Sequence, residues 1–274
     1  MDYSIADYDA DDDITLAIVG DLQVNSTVGL APEWFITDDG VPVGQSPFQK
    51  KLWNAWISYW HDVGECGGHV VGILNGDLVE GYHHHTTQIV SGNETDQHKM
   101  AMDVLEPARQ VVDAWFVVRG TEAHAGIAAQ NEEMIAVSLG AIPNSEGMYS
   151  RWTLQADFGG VRFDVAHHAP IGRLPWTTPN LLVRTAIEIE LDYHRAGLAP
   201  PDYAIRSHNH RWGDTGINTP VRLIALPCWQ GPTAHIHRIK PGALPHIGGA
   251  IFKIVNGQTN VMLKNYSART SWIT

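Results

Sequence analysis

The chain has 274 residues, 44% of them hydrophobic and 18% charged, with 10 tryptophans, so it can bury a large core and is not intrinsically disordered over most of its length. Against 30 Asp and Glu stand 18 Lys and Arg, and the formal net charge of -12 opposes a broad electrostatic grip on nucleic acid or an anionic membrane; a phosphate-bearing partner would need bound cations. The two cysteines, Cys66 and Cys228, are too few for a disulfide framework or a cysteine-based zinc finger, which leaves any metal chemistry to histidine and carboxylate.

Residues 1–13 are acid-rich and lack a basic or apolar leader pattern, and are expected to form a flexible acidic tail before a single domain over 14–274. No stretch approaches the roughly 20 apolar residues of a membrane span, so the expectation is a soluble, cytoplasmic protein. The first buried strand is expected over Ile14–Asp21, followed by a helix over Phe48–Val63 whose Trp53, Trp56 and Trp60 share one face as a core stripe. A second strand covers His69–Asp77, a helix Asp96–Gln110, a third strand Ala114–Gly120 and a helix Asn131–Leu139. Trp152–Phe158 returns through Gly159-Gly160 into a strand over Val161–His168, a helix follows over Asn180–Arg195, and a fifth strand runs over Tyr203–His210. The Gly- and Pro-rich stretch Pro227–Gly249 reads as a loop, and Ala250–Val255 turns through Asn256-Gly257 into a last strand. This alternation places the chain in the α/β class, with helices outside two packed sheets.

Metal-type side chains stand where these strands end. Asp21 follows Gly20 and Asp77 follows Gly76, and a carboxylate just past a turning glycine at a strand's carboxyl end projects into the crevice where α/β sheets place their sites. One Gly-Asp pair alone reads as a turn or helix cap. Here a third strand runs into Thr121-Glu122-Ala123-His124, a fourth into His167-His168 and a fifth into Ser207-His208-Asn209-His210. His208 and His210 are one residue apart, so on extended backbone both imidazoles face the same side. A carboxylate can bridge two cations roughly 3.5 to 4 Å apart, the spacing of two-metal hydrolases.

In this order, Gly20-Asp21-Leu22-Gln23, Asn75-Gly76-Asp77, Gly120 to His124, His167-His168 and Ser207 to His210 resemble the blocks of the calcineurin-like metallophosphoesterases, with short strings similar to bacteriophage members. The resemblance implies a four-layer α-β-β-α sandwich of two mixed sheets flanked by helices. It implies two divalent cations (Mn, Fe or Zn) and hydrolysis of a phosphodiester or phosphomonoester of nucleotide or nucleic-acid type, by hydroxide formed from a water whose pKa the cations lower. By the same resemblance Asp77 is the bridging carboxylate, Asp21 and His210 hold one cation, and His208 with one of the adjacent pair, His167 or His168, holds the other; His167 comes first at the strand end and is preferred.

Three places depart from that pattern. Gln23 stands where the family has a histidine, and its amide oxygen is a harder, neutral ligand. Gly120 is followed by Thr121-Glu122-Ala123-His124 instead of Asn-His, so Glu122 or Thr121 would replace the Asn ligand and His124 would act as the general acid. His83-His84-His85 is an addition; His84 is expected at the substrate mouth with Trp229, the alternatives being a solvated loop and a loop packed by its own tryptophan. These departures leave open a catalytically weakened scaffold or interaction module. A hydrolase of carboxylic esters or amides has no matching His-Glu-x-x-His or Gly-x-Ser-x-Gly string.

Overall fold

The computed structural model describes residues 12–82, 86–170, 177–239, 242 and 244–267. Most of the acidic tail and the triple histidine that includes His84 lie outside them. Asp13, the last residue assigned to the tail, is already fixed: its carbonyl accepts the His69 N–H, and its carboxylate pairs with Lys253.

Among the described residues thirteen strands are formed: β1 Ile14–Val19, β2 Trp34–Ile36, β3 Pro42–Gly44, β4 His69–Asn75, β5 Ala114–Val118, β6 Ser150–Arg151, β7 Thr153–Phe158, β8 Val161–Ala166, β9 Tyr203–Arg206, β10 Gly213–Asp214, β11 Arg222–Ala225, β12 Ile247–Val255 and β13 Gln258–Tyr266. Six α-helices accompany them among the described residues: α1 Pro47–Cys66, α2 Glu94–Arg109, α3 Glu122–Ala125, α4 Gln130–Leu139, α5 Thr178–Arg195 and α6 Ala234–Ile239. The expected long strands and helices all form. The five strands expected to end in candidate ligands stop two to four residues early, because the residues carrying those ligands have already left the ladder.

One sheet has the order β13-β12-β1-β4-β5-β6, the other β10-β11-β9-β8-β7, and β2 and β3 form a separate ribbon. In the first sheet β1, β4, β5 and β6 run parallel while β12 and β13 are antiparallel; in the second β8, β9 and β11 are parallel. Parallel strands put their carboxyl ends on one edge.

Alternation along the strands explains the layering. Ile14, Leu16, Ile18, Val71, Ile73 and Phe116 point inward against Leu154, Phe163, Val165, Ile205 and Ile224 of the second sheet. The opposite face of the first sheet, with Ala17, Val19, Leu74 and Val117, buries against α1, α2 and α4. The outer face of the second sheet, with Ala204, Leu223 and Ala225, is covered by Leu182 and Ala186 of α5. The result is a four-layer α-β-β-α sandwich.

Helix α1 begins with a capping box, Ser46 accepting from the Gln49 N–H while the Gln49 side chain accepts from the Ser46 N–H. It buries Trp56 and Trp60 as the spacing predicts, with Trp53 only partly covered. Between the sheets, Phe163 meets the rings of Phe158, Tyr203 and Phe252 at centroid distances of 5.9, 5.2 and 5.1 Å. Phe163→Ala is expected to cost about 3 to 5 kcal/mol, read from equilibrium urea unfolding. A loss under about 1 kcal/mol would mean that the two sheets do not share this core.

Candidate metal centre

The two sheets meet at their carboxyl edges through Asn75, the last residue of β4. Its amide donates to the Ala166 carbonyl at 3.2 Å and to Ser207 Oγ at 2.8 Å, and its own carbonyl is 2.8 Å from His167 Nδ1. A carbonyl can only accept, so His167 carries a proton on Nδ1, which turns Nε2 inward. This is how proteins commonly orient a ligating histidine.

Around that edge the chain bends sharply. Among the described residues, nine that are not glycine have positive φ, and five of these are candidate ligands: Asp21 (53°), Gln23 (49°), Asp77 (54°), His208 (70°) and His210 (54°). Left-handed backbone is unfavourable for side chains with a Cβ and collects at functional sites. Gly20 and Gly76 precede two of these residues; a Cβ on Gly20 would collide with the Asn75 carbonyl and Ser207, and one on Gly76 with His167.

These bends converge the side chains. Single ligand atoms of Asp77, His167 and His208 lie within 4.8 Å of one another. His167 Nε2 is 3.2 Å from Asp77 Oδ2 and 4.0 Å from Asp21 Oδ1, and His210 Nε2 is 3.2 Å from Asp21 Oδ1. The other Asp21 oxygen accepts the His208 N–H at 2.9 Å. Asp21 Oδ1, Gln23 Oε1 and His167 Nε2 are all buried without a directed hydrogen bond. Unpartnered polar atoms in a native interior call for an explanation, and here two acceptor oxygens and a ring-nitrogen lone pair are turned into a site with two buried carboxylates. A divalent cation is the partner such a set fits, and mixed His and carboxylate donors suit Mn, Fe or Zn.

His124 stands beside this set. Its Nδ1 donates to the Glu80 carbonyl at 2.7 Å, its Nε2 is 4.0 Å from Asp77 Oδ2, and its side chain keeps 18% exposure. His168 is exposed at the rim, its ring centroid 5.1 Å from those of His167 and His208. It lies outside the tight three-residue set, which takes its neighbour His167.

Two expectations are corrected. Glu122 opens α3 on the exposed surface, because the Thr121 carbonyl accepts the N–H groups of His124 and Ala125 and winds the helix outward. Thr121 is the residue that reaches Asp77: its N–H and hydroxyl donate to Oδ1 at 2.7 and 2.8 Å. Trp229 does not wall a substrate pocket. Its N–H is held by the Asp21 carbonyl at 2.9 Å, and its ring is fully buried edge-on against Trp56 at 4.8 Å. It supports the Asp21 turn from below.

Glu132 was not visible in the sequence as a site residue. Fully buried on α4, it accepts the Asp77 N–H and the Gly120 N–H, each at 2.7 Å. Its only sequence signal, an acidic residue in a helix's first turn, is an ordinary one.

No family model matches the chain, and no curated protein matches it. Among solved structures, a dimetal phosphatase from Danio rerio is similar at TM-score 0.46 and 11% identity, covering 94% of this chain and 98% of its own. An archaeal phosphodiesterase is similar at 0.43 and 12%, covering 91% and 99%, and Vacuolar Protein Sorting 29 from Cryptosporidium parvum at 0.41 and 13%, covering 94% and 100%. At these identities and scores nothing about activity passes from them to this chain.

The charges make the centre sensitive to pH. Burial pushes the His167 imidazole down, but the Asp77 and Asp21 carboxylates overcome it and hold it at about 9. Burial and the Asp77 charge push the Glu132 carboxyl up to about 8. Burial would raise Asp77, yet His167, with help from His124 and Thr121, brings it well below the usual carboxylate range. A histidine raised from 6.5 contributes stability that is full below about pH 6.5 and is lost as pH passes 9; a glutamate raised from 4.5 opposes folding increasingly up to pH 8. Thermal unfolding in chelator is therefore expected to give a Tm that falls between about pH 6.5 and 9, with Mn²⁺ reducing the fall because it replaces the His167 proton. A Tm that is flat or rises over that window in chelator would contradict this electrostatic account.

Proposed function

We propose that this chain is a divalent-metal-dependent phosphoesterase of the calcineurin-like kind, hydrolysing a phosphodiester or phosphomonoester of nucleotide or nucleic-acid type. The observation that carries the reading is the set of buried, unpartnered donor atoms on Asp21, Gln23 and His167, converging with Asp77, His208 and His210 at one sheet edge. Asp77, His167 and His208 would hold one cation, and Asp21, His210 and Gln23 a second, with Asp77 shared. Bound there, divalent ions supply Lewis acidity toward the phosphoryl oxygens and ionise a water near neutral pH.

The protein's own groups do the rest. Thr121 fixes the Asp77 carboxylate through both its N–H and its hydroxyl. His124, anchored at Nδ1 by Glu80, presents Nε2 beside Asp77, where a proton on that atom can pass to a departing alkoxide. Its partial exposure lets solvent restore the proton. His168, exposed beside His167 and His208, would contact the ester in this reading. The net charge of -12 disfavours long duplex substrates and points to short or single nucleotides.

The competing reading, a fold kept for interaction, draws on Gln23 standing where the family has a histidine and on the altered Thr121-Glu122-Ala123-His124 block. Hydrolysis of bis(p-nitrophenyl) phosphate and p-nitrophenyl phosphate with Mn²⁺, and again with chelator, separates the two. Turnover is expected only with metal, reduced at least about 100-fold by Asp77→Asn, while His124→Ala lowers kcat about 10² to 10⁴-fold. No metal-dependent turnover on either ester would favour the interaction module.

A further inference from the structure

We propose that Glu132 is the positioning residue of the metal centre, a carboxylate from α4 that holds the two strand-end N–H groups on which the aim of Asp77 depends. The inference rests on the metal-dependent reading above. Asp77 and Gly120 each lie just beyond a sheet ladder, where no strand carbonyl is available to their N–H groups. Both instead donate to Glu132, one to each oxygen. The two backbones are packed so closely that a Cβ on Gly120 would strike the Asp77 carboxylate and N–H. A shift of either segment therefore moves the other, and Glu132 ties them together.

The choice of residue type carries the argument further. Glu132 is fully buried, and its hydrogen bonds are to backbone N–H groups and not to a Lys or Arg. Its two carboxyl oxygens match the two N–H groups one to one, which a side chain with a single acceptor oxygen could not do. Holding both N–H groups fixes the backbone from which the Asp77 carboxylate projects, as hydrogen-bond partners of metal ligands commonly do. The local backbone is also bent to deliver Glu132: Ala128 and Ala129, just before α4, are left-handed at φ 55° and 57° without being glycine. The next residue, Glu133, accepts from the Tyr149 and Ser150 N–H groups at 2.8 Å each, so the first turn of α4 secures the end of β5 and the start of β6 together with Asp77.

Glutamine keeps the size of Glu132 but offers one acceptor oxygen for two N–H groups. Calorimetric titration of Mn²⁺ into the metal-free chain is expected to show Glu132→Gln binding about 10- to 100-fold more weakly than the unsubstituted protein. Amide exchange in chelator is expected to be faster at Asp77 and Gly120. Ile135→Val, buried on the same helix, should lower Tm and leave Mn²⁺ affinity unchanged, which separates positioning from general stability. If Glu132→Gln does not fold, Glu132→Asp, which keeps the charge but cannot span both N–H groups, is expected to show the same direction of loss. Unchanged Mn²⁺ affinity in the folded variant overturns the positioning role while leaving the metal site standing. No Mn²⁺ uptake by the unsubstituted protein overturns the metal-dependent reading, and this inference with it.

Discussion

Negative charge held in the interior is the constraint on which the rest of the molecule depends. Asp21 and Asp77 are each at most 1% exposed and stand at the edge where two sheets converge. The groups that face Asp21 and Asp77 among the described residues are histidines, with Thr121 and backbone N–H groups as donors. Such a set is costly to bury, and without a cation its carboxylates depend on the His167 proton for compensation. Cations in the space between them would offset that cost. The fold therefore holds a candidate cation site with donor atoms that the chain alone leaves without a hydrogen bond.

The architecture around that edge is what allows the storage. Parallel strands bring their carboxyl ends together, and the apolar layer between the sheets fixes how those ends face one another. Asn75 then ties β4 to the residues after β8 and β9, so the two halves of the ligand set move as one body. The left-handed conformations at Asp21, Asp77, His208 and His210 are unfavourable one by one. They persist because the surrounding hydrogen bonds and the buried aromatic floor under Asp21, where Trp229 packs on Trp56 and Tyr59, over-determine them.

Much of this was legible in the sequence, for physical reasons that can be named. The long strands and helices declared themselves through apolar periodicity, the Asn256-Gly257 and Gly159-Gly160 turns through their tolerance of positive φ, and Asp21, Asp77, His208 and His210 through their place just after buried runs. What stayed hidden depends on direction rather than residue type. Trp229 next to a Gly- and Pro-rich loop looks equally suited to a pocket wall or a core, and its burial is decided by a backbone bond to Asp21, far away in the chain. Glu122 and Thr121 are adjacent, and the handedness of one helical turn decides which faces Asp77. Glu132 reads as a routine helix-start acid until α4 is placed against β4 and β5. Short strands such as β6 and β10 carry too few residues to show a period at all.

The central claim, that this sheet edge is built around divalent cations, is tested most directly by anomalous X-ray scattering from crystals soaked in Mn²⁺. The account predicts a peak about 2.0 to 2.3 Å from donor atoms of Asp77, His167 and His208, and a second one bounded by Asp21, His210 and the Gln23 amide oxygen. Crystals that take up Mn²⁺ only at surface carboxylates, with no anomalous density between Asp77 and His167, would contradict it.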